Sequence, residues 1–416
     1  MTKTSWVAVL PMLLIPTGSF AQTRTPPDSA IVQDTSSTRH RTQTLRLTVS
    51  AERLLDFVRY NRIEGLYTGI GLKLSHNDSA RVAVGATVGR AWSEHTERGR
   101  ITVDRLLGAW TVRVRAERSL DITNDFRSPL DSGSLITFGS EDSHDYVDRK
   151  SIGVSITRRL VGTGFTLRGE LGYADDRYVA NSIKRGILLA STDYLPNHGV
   201  DAGGYRRTAF VLEWHPEINS KPLLSGLASQ LMYERGDGTL TFQRAELHVL
   251  ARSHLGPFRW LSRGAFGQTF GRDLLPQQLF ELGHGQNLPG YENKEFAGAR
   301  AAILRTSLLY NFNFLNRRMQ LTERLRIPGL SPGMSVGLQS GWADASSDAA
   351  RAAIARLGAS FIAAGNSGMD SRPAGNVRST ISAGLRFFSG VAYVGFARAI
   401  DRPHPWKFQF AFEPTI

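Results

Sequence analysis

From about Leu45 to the end of the chain, apolar and polar residues alternate with a period of two. That is the spacing of a strand that turns one face to an apolar medium and the other to a polar one. Clear runs are Ala80–Trp92 (ARVAVGATVGRAW), Trp110–Leu120 (WTVRVRAERSL), Ser151–Leu160 (SIGVSITRRL) and Thr239–Leu250 (TLTFQRAELHVL). In the second, Val112 and Val114 share one face while Arg113 and Arg115 share the other. Runs of about ten residues suit tilted strands that cross a bilayer, whereas strands of soluble sandwiches centre on about 5–6. In lipid only a closed barrel leaves no strand edge unpaired. The pattern predicts an all-β chain, a transmembrane antiparallel β-barrel of outer-membrane type.

Strands are expected near 45–57, 62–75, 80–92, 99–107, 109–121, 148–160, 163–176, 203–215, 226–236, 239–254, 258–270, 297–311, 334–343, 377–388, 391–400 and 406–413, sixteen in all. Long connections (122–147, 177–202, 271–296, 344–376) follow odd-numbered strands, and most connections after even-numbered strands are short. Long outer loops and tight periplasmic turns, with both termini periplasmic, give this parity. The connection 312–333 is the exception. The first strand, carried by Leu45, Leu47 and Val49, is needed for the parity to hold. Asp348–Ala364 (DAARAAIARLGASFIAA) reads as a helix within a surface loop or as an irregular small-residue loop.

Met1–Gln22 (MTKTSWVAVLPMLLIPTGSFAQ) has one lysine, a short apolar run and small residues at Ser19 and Ala21. This is the form of a signal peptide over 1–21. Residues 22–44 are rich in Thr, Ser, Pro, Asp and Arg and read as a flexible periplasmic segment, too short for an added domain. The barrel then occupies 45–416. With no cysteine, disulfides, zinc–thiolate sites and a cysteine nucleophile are excluded. The formal charge of +13 comes mostly from scattered arginine, without the basic stripe or motif of a nucleic-acid binder.

Three stretches carry a family resemblance. Phe280–Phe296 (FELGHGQNLPGYENKEF) resembles the sixth surface loop of the BamA/TamA and bacterial-surface-antigen superfamily. There a glycine-containing lead (here Glu281, Gly283) precedes a Val-Arg-Gly-Phe/Tyr tetrad, which reads Leu288-Pro289-Gly290-Tyr291 in this chain. The end of the chain, with Ser382, Gly384, Leu385 and Arg386, then Val394, Phe396 and Ala397, then Trp406–Phe412, is similar to the superfamily's last three strands. Tyr60–Leu66 (YNRIEGL) is similar to the barrel entry of some members. The resemblance implies a sixth-loop plug and a weakly paired seam between first and last strands. It also implies a C-terminal insertion signal at Phe408, Phe410 and Phe412. Two features depart from the family. Pro289 replaces the arginine that reaches toward an Asp-x-Gly acid on strand 13, and the corresponding place here reads Gln339-Ser340-Gly341, so both members of that ion pair are absent together. The POTRA domains of the protein-handling members are not expected here either. Independently of the resemblance, Pro289-Gly290 favours a type II turn with glycine at positive φ, leaving Tyr291 to pack against the lumen wall.

No nucleophile elbow, zinc helix, phosphate loop or calcium loop is present, so no enzyme and no cofactor or metal is expected. Gly162–Gly169 (GTGFTLRG) has the wrong spacing for a dinucleotide site and reads as glycine marking strand curvature. His284 reads as a loop hydrogen-bonder. Arg235-Gly236-Asp237 reads as a turn at an outer hairpin tip. The resemblance implies insertion or translocation of protein or lipid at the bacterial outer membrane. The expected partners are membrane lipid, an unfolded or secreted protein substrate and the barrel assembly machinery during biogenesis. Two rivals stand beside it: an anion-favouring diffusion pore and a non-transporting surface anchor for a partner.

Overall fold

The computed structural model describes residues 45–49, 56–76, 81–126, 142, 144–186, 193–220, 224–283, 287–312, 319–320, 326–327, 330–363, 371–388, 392–403 and 405–412. The signal segment 1–21 and the lead-in 22–44 lie outside them, as does His284. β1 (Leu45–Val49) and β2 (Val58–Asn61) both pair with one edge of β3 (Gly65–His76), β1 against Leu72–His76 and β2 against Gly65–Thr68. Each following strand then pairs antiparallel with the one before it. These are β4 (Val82–Ala91), β5 (Thr96–Leu107), β6 (Trp110–Thr123), β7 (Asp145–Leu160), β8 (Phe165–Arg177) and β9 (Gly203–Trp214). A short helix, α1 (Pro216–Ser220), leads to β10 (Gly226–Gly238), β11 (Phe242–Leu255) and β12 (Phe258–Phe270).

β13 (Phe280–Leu282) and β14 (Phe296–Gly298) form a separate hairpin between β12 and β15 (Arg300–Asn311). β16 (Met319–Gln320) and β17 (Arg326–Ile327) form a second one, which accounts for the length of the connection that broke the loop parity. β18 (Gly333–Asp344), helix α2 (Asp348–Ala363), β19 (Arg378–Phe387), β20 (Ala392–Ala399) and β21 (Lys407–Phe412) complete the chain. The main sheet has 17 strands, and because β1 and β2 share one position it has the sixteen positions the alternation predicts. Among the described residues no backbone pairing joins β21 to β1 or β2. Of the two readings of 348–364, the helix is the one found.

The faces are inverted relative to a soluble protein. Ile101, Val114, Ile152, Val154, Leu304, Leu308, Val336 and Leu338 are exposed, while Arg62, Arg98, Arg244, Glu234 and Glu246 are buried. Apolar-out and polar-in alternation is what a strand needs between lipid and lumen. Phe408 and Phe410 lie on the outer, exposed face of β21. Phe412 ends that strand.

Four expectations need correction. The first strand is not continuous over 45–57. Val49 pairs with Leu72 and Val58 with Thr68, so the register shifts by five residues between the two segments, and Asp56 meets Arg100 at 3.2 Å. The next strand begins at Gly65 rather than 62, because the Asn61 side-chain oxygen accepts the N–H groups of Ile63 (3.0 Å) and Glu64 (2.8 Å) and closes an Asx-type turn. Arg235-Gly236-Asp237 is not a tip. It lies within β10, with Arg235 opposite Gln243 and Asp237 opposite Arg206. Gly162 and Gly164 serve a tight turn at positive φ (83° and 74°) rather than strand curvature.

Candidate functional site

The connection from β12 to β15 folds inward instead of projecting into solvent. Phe280, Leu282, Leu288, Tyr291 and Phe296 are buried together with the wall residues Ala301, Ala343 and Ala399. Their small wall side chains leave room for a loop whose own side chains are large, so the sixth loop fills part of the lumen as a packed plug.

The tetrad docks on β18–β20. The Leu288 N–H donates to Gln339 Oε1 at 3.0 Å, and Gly341 faces the side chains of Leu288 and Leu282, 3.0–3.1 Å from where its Cβ would stand. The two strand-13 positions singled out by sequence therefore do receive the tetrad. The Gly290 N–H donates to Thr380 Oγ1 at 3.3 Å. A Cβ at Gly290 would overlap backbone atoms of Arg398 and Ala399, so glycine is required by close approach. It is not required by φ, contrary to the type II expectation. The turn is closed by the Tyr291 N–H to Leu288 O at 3.1 Å, and the left-handed residue is Leu288, at φ 62°. That conformation costs a non-glycine residue about 1–2 kcal/mol, and burial of the leucine side chain offsets it. Pro289 carries no charge into the lumen. Tyr291 packs as expected: its hydroxyl donates to Asp401, its ring stacks edge-on against Phe296 (5.2 Å between centroids), and Arg402 lies 4.7 Å from its centroid. Lys407 Nζ, on β21, donates to Tyr291 O at 2.8 Å and ties the last strand to the plug.

The other flank of the loop reaches the opposite wall. The Gly283 N–H (φ 105°) donates to Asn287 O, and Asn287 Nδ2 donates to Asp125 Oδ1, both at 2.8 Å. The Glu281 N–H donates to Asn124 O, and the Glu281 carboxylate lies 2.9 Å from His198 Nδ1. His198 is also 2.9 Å from Asp145 at the head of β7, and Lys294 sits on the same Asp145 oxygen. Arg62, wholly buried in the β2–β3 connection, holds the other Asp145 oxygen at 3.0 Å, and Asp142 at 3.6 Å. Burial raises the pKa of Glu281, with the neighbouring cations offsetting only part of it. Burial alone would depress His198, but the Asp145 and Glu281 carboxylates reverse that and raise it. Asp145, His198 and Glu281 bring three donor atoms within 4.8 Å of one another, the one such trio among the described residues. The protein's own cations, Lys294 and Arg62, already occupy the Asp145 oxygens, so these residues do not fit a metal ion.

Beside the plug lies a lumenal cavity of about 760 Å³ lined by Arg113, Arg115, Arg149, Glu117 and Glu170 among others. Arg113 and Arg115 face it as the alternation predicts, Arg113 paired with Asp104 at 2.6 Å and Arg115 with Glu117. A different wall is basic. Alternation on β11, β12, β15 and β19 turns Arg252, Arg259, Arg263, Arg305 and Arg386 to the lumen, with Arg263 directly across from Arg305.

Of the residues that sequence reasoning singled out, the structure brings Leu288 against Gln339 and Gly341, while Glu281 faces His198 on the other wall and Gly283 bonds to Asn287. Sequence reasoning missed His198, Asp145, Lys294, Arg62, Thr380 and Asp401. The one signal was the Tyr60–Leu66 resemblance, which contains Arg62.

No protein-family model matches the chain, and no curated protein sequence does. Among solved structures, BamA from Haemophilus ducreyi lacking POTRA domains 1–3 superposes with a TM-score of 0.52 at 12% identity, over 88% of this chain and 74% of that one. CdiB from Escherichia coli gives 0.45 at 13%, over 89% and 66%. OccK11 (OpdR) from Pseudomonas aeruginosa gives 0.29 at 10%, over 83% and 87%. The lumen plug, the inverted faces and the BamA likeness together make this chain a β-barrel of outer-membrane type with the fold of the BamA barrel.

Proposed function

We propose that this barrel resides in the bacterial outer membrane and inserts or translocates protein or lipid there, with the sixth loop as an internal plug and the β21–β1 seam as the place where substrate engages. The observation that carries the reading is the docking of Leu288-Pro289-Gly290-Tyr291 on β18–β20, the placement that the resemblance to the BamA/TamA superfamily implies. The seam supports it: among the described residues no backbone pairing joins β21 to β1 or β2, so opening there breaks fewer described ladder bonds than elsewhere in the sheet. The partners of this reading are an unfolded or secreted protein, outer-membrane lipid, and the assembly machinery that reads Phe408, Phe410 and Phe412. No enzymatic step and no cofactor enter it.

Photo-crosslinkers placed one at a time along 45–57 and 406–413 test this in cells loaded with outer-membrane and secreted substrates. Adducts concentrated at the seam and absent from mid-sheet positions on β8 are the expected result. Uniform or absent adducts under substrate load would sink the reading.

The basic wall favours a second reading, an anion-preferring pore. It predicts a reversal potential that shifts toward cations when Arg259, Arg263 and Arg305 are changed to Gln in a salt gradient across a planar bilayer. An unchanged potential refutes it.

A further inference from the structure

The buried cluster that ties the sixth loop to β7 has an uneven charge count. Among the described residues, three carboxylates, Asp142, Asp145 and Glu281, face two permanent cations, Arg62 and Lys294. All five side chains and His198 are at most 2% exposed. An unbalanced charge so deeply buried is costly, and His198 is the group placed to supply the missing positive charge. Its Nδ1 is 2.9 Å from Asp145 Oδ2 and 2.9 Å from Glu281 Oε1, between the barrel wall and the loop. Its backbone N–H donates to the remaining Asp145 oxygen at 3.1 Å, which fixes the ring's position on the wall side. The Tyr146 hydroxyl donates to Asp142 Oδ1 at 2.9 Å, and Tyr178 lies near Arg62 and Asp145.

We propose that this cluster is a proton-operated latch: a proton held at His198 between Asp145 and Glu281 docks the sixth loop against β7, and its loss loosens the loop from that wall. Without the proton, Glu281 faces a neutral imidazole, while Asp145 keeps both Arg62 and Lys294. Asp145 belongs to β7 of the main sheet, whereas Glu281 belongs to the separate β13–β14 hairpin, so the proton bridges two elements that the main ladder does not join. The sign follows from the environment. The docked cluster raises both His198 and Glu281, so it binds the proton more tightly than the undocked one does. Docking is then fully supported below the ordinary histidine range and weakens as pH rises through the raised His198 value. For one linked proton the opening equilibrium grows by up to about tenfold per pH unit above that value. The latch concerns loop docking and holds whatever passes through the barrel.

The test is hydrogen exchange of the refolded full chain in lipid, followed over peptides spanning 276–298 from about pH 6 to about pH 9 and corrected for intrinsic exchange. Protection of those peptides is expected to fall with rising pH while peptides of β8 and β9 stay protected. In His198→Gln the pH dependence should flatten, and in Glu281→Gln it should weaken, because a neutral amide makes no charge demand on the proton. Loop protection that is flat with pH in the unmodified protein overturns the latch, and that measurement needs no variant to fold. Equal pH dependence in His198→Gln also overturns it.

Discussion

Replacing Arg62 with Met is expected to lower barrel stability by about 3–5 kcal/mol. The guanidinium is fully buried and holds Asp145 at 3.0 Å, Asn181 at 3.3 Å and the main-chain oxygen of Asp142, so its loss leaves buried Asp142 without its cation and Asp145 with Lys294 and His198 alone. The cost is mostly the penalty on what remains. Arg62→Met combined with Asp142→Asn should therefore recover a good part of it, since one stranded charge is removed with its partner. Unfolding in urea followed by loss of heat-modifiable mobility on a gel reads both. If the single variant unfolds with the unmodified protein, the network is not holding the barrel entry to the β7 end of the wall.

Gly290→Val should have the second largest effect and act on the plug rather than the wall. A side chain there meets Arg398 and Ala399 main chain at the end of β20, which cannot yield without breaking the β19–β20 ladder at Thr380 and Ala399. Overpacking of this kind costs about 1–3 kcal/mol, a shift of roughly 10–100-fold in the docking equilibrium. The loop, not the strand, should give way. The expected readout is larger and longer openings in a planar bilayer, with little change in unfolding midpoint. Gly290→Ala should fall between the two. A Gly290→Val barrel with unchanged conductance would mean that the tetrad does not occlude the lumen.

What the sequence made legible follows from how locally each feature is encoded. The barrel strands are written as alternation within about ten residues, and so were found with their number and parity. The register shift between β1 and β2 was not, and the Asp56–Arg100 ion pair beside it joins residues outside any local window. Resemblance singled out Gln339 and Gly341 only as the counterpart of a missing ion pair, and the Leu288 contacts with them come from the structure. The φ expected at Gly290 failed because local turn preference was overridden by packing. Leu288 takes the left-handed conformation so that its side chain can fill the space over Gly341. Glu281 was visible as an acid beside His284, yet its partner is His198, from the loop between β8 and β9, and no spacing rule connects the two. Where the resembled superfamily carries an arginine and an acid, this chain has Pro289 and a polar Gln339 contact, and the loop's buried charges, Glu281 and Lys294, face His198 and Asp145.

The claim on which the rest depends is that the sixth loop is docked in the lumen against β18. Because the chain has no cysteine, Leu288→Cys with Gly341→Cys tests it on a clean background. Leu288 Cγ lies 3.4 Å from the Cβ position of residue 341, close enough for a sulfur at the γ position to bridge without backbone movement. In native outer membranes under mild oxidation the account predicts a disulfide that forms nearly quantitatively and shifts the unheated band on a gel. Free thiols at both positions, open to a membrane-impermeant maleimide, would contradict it.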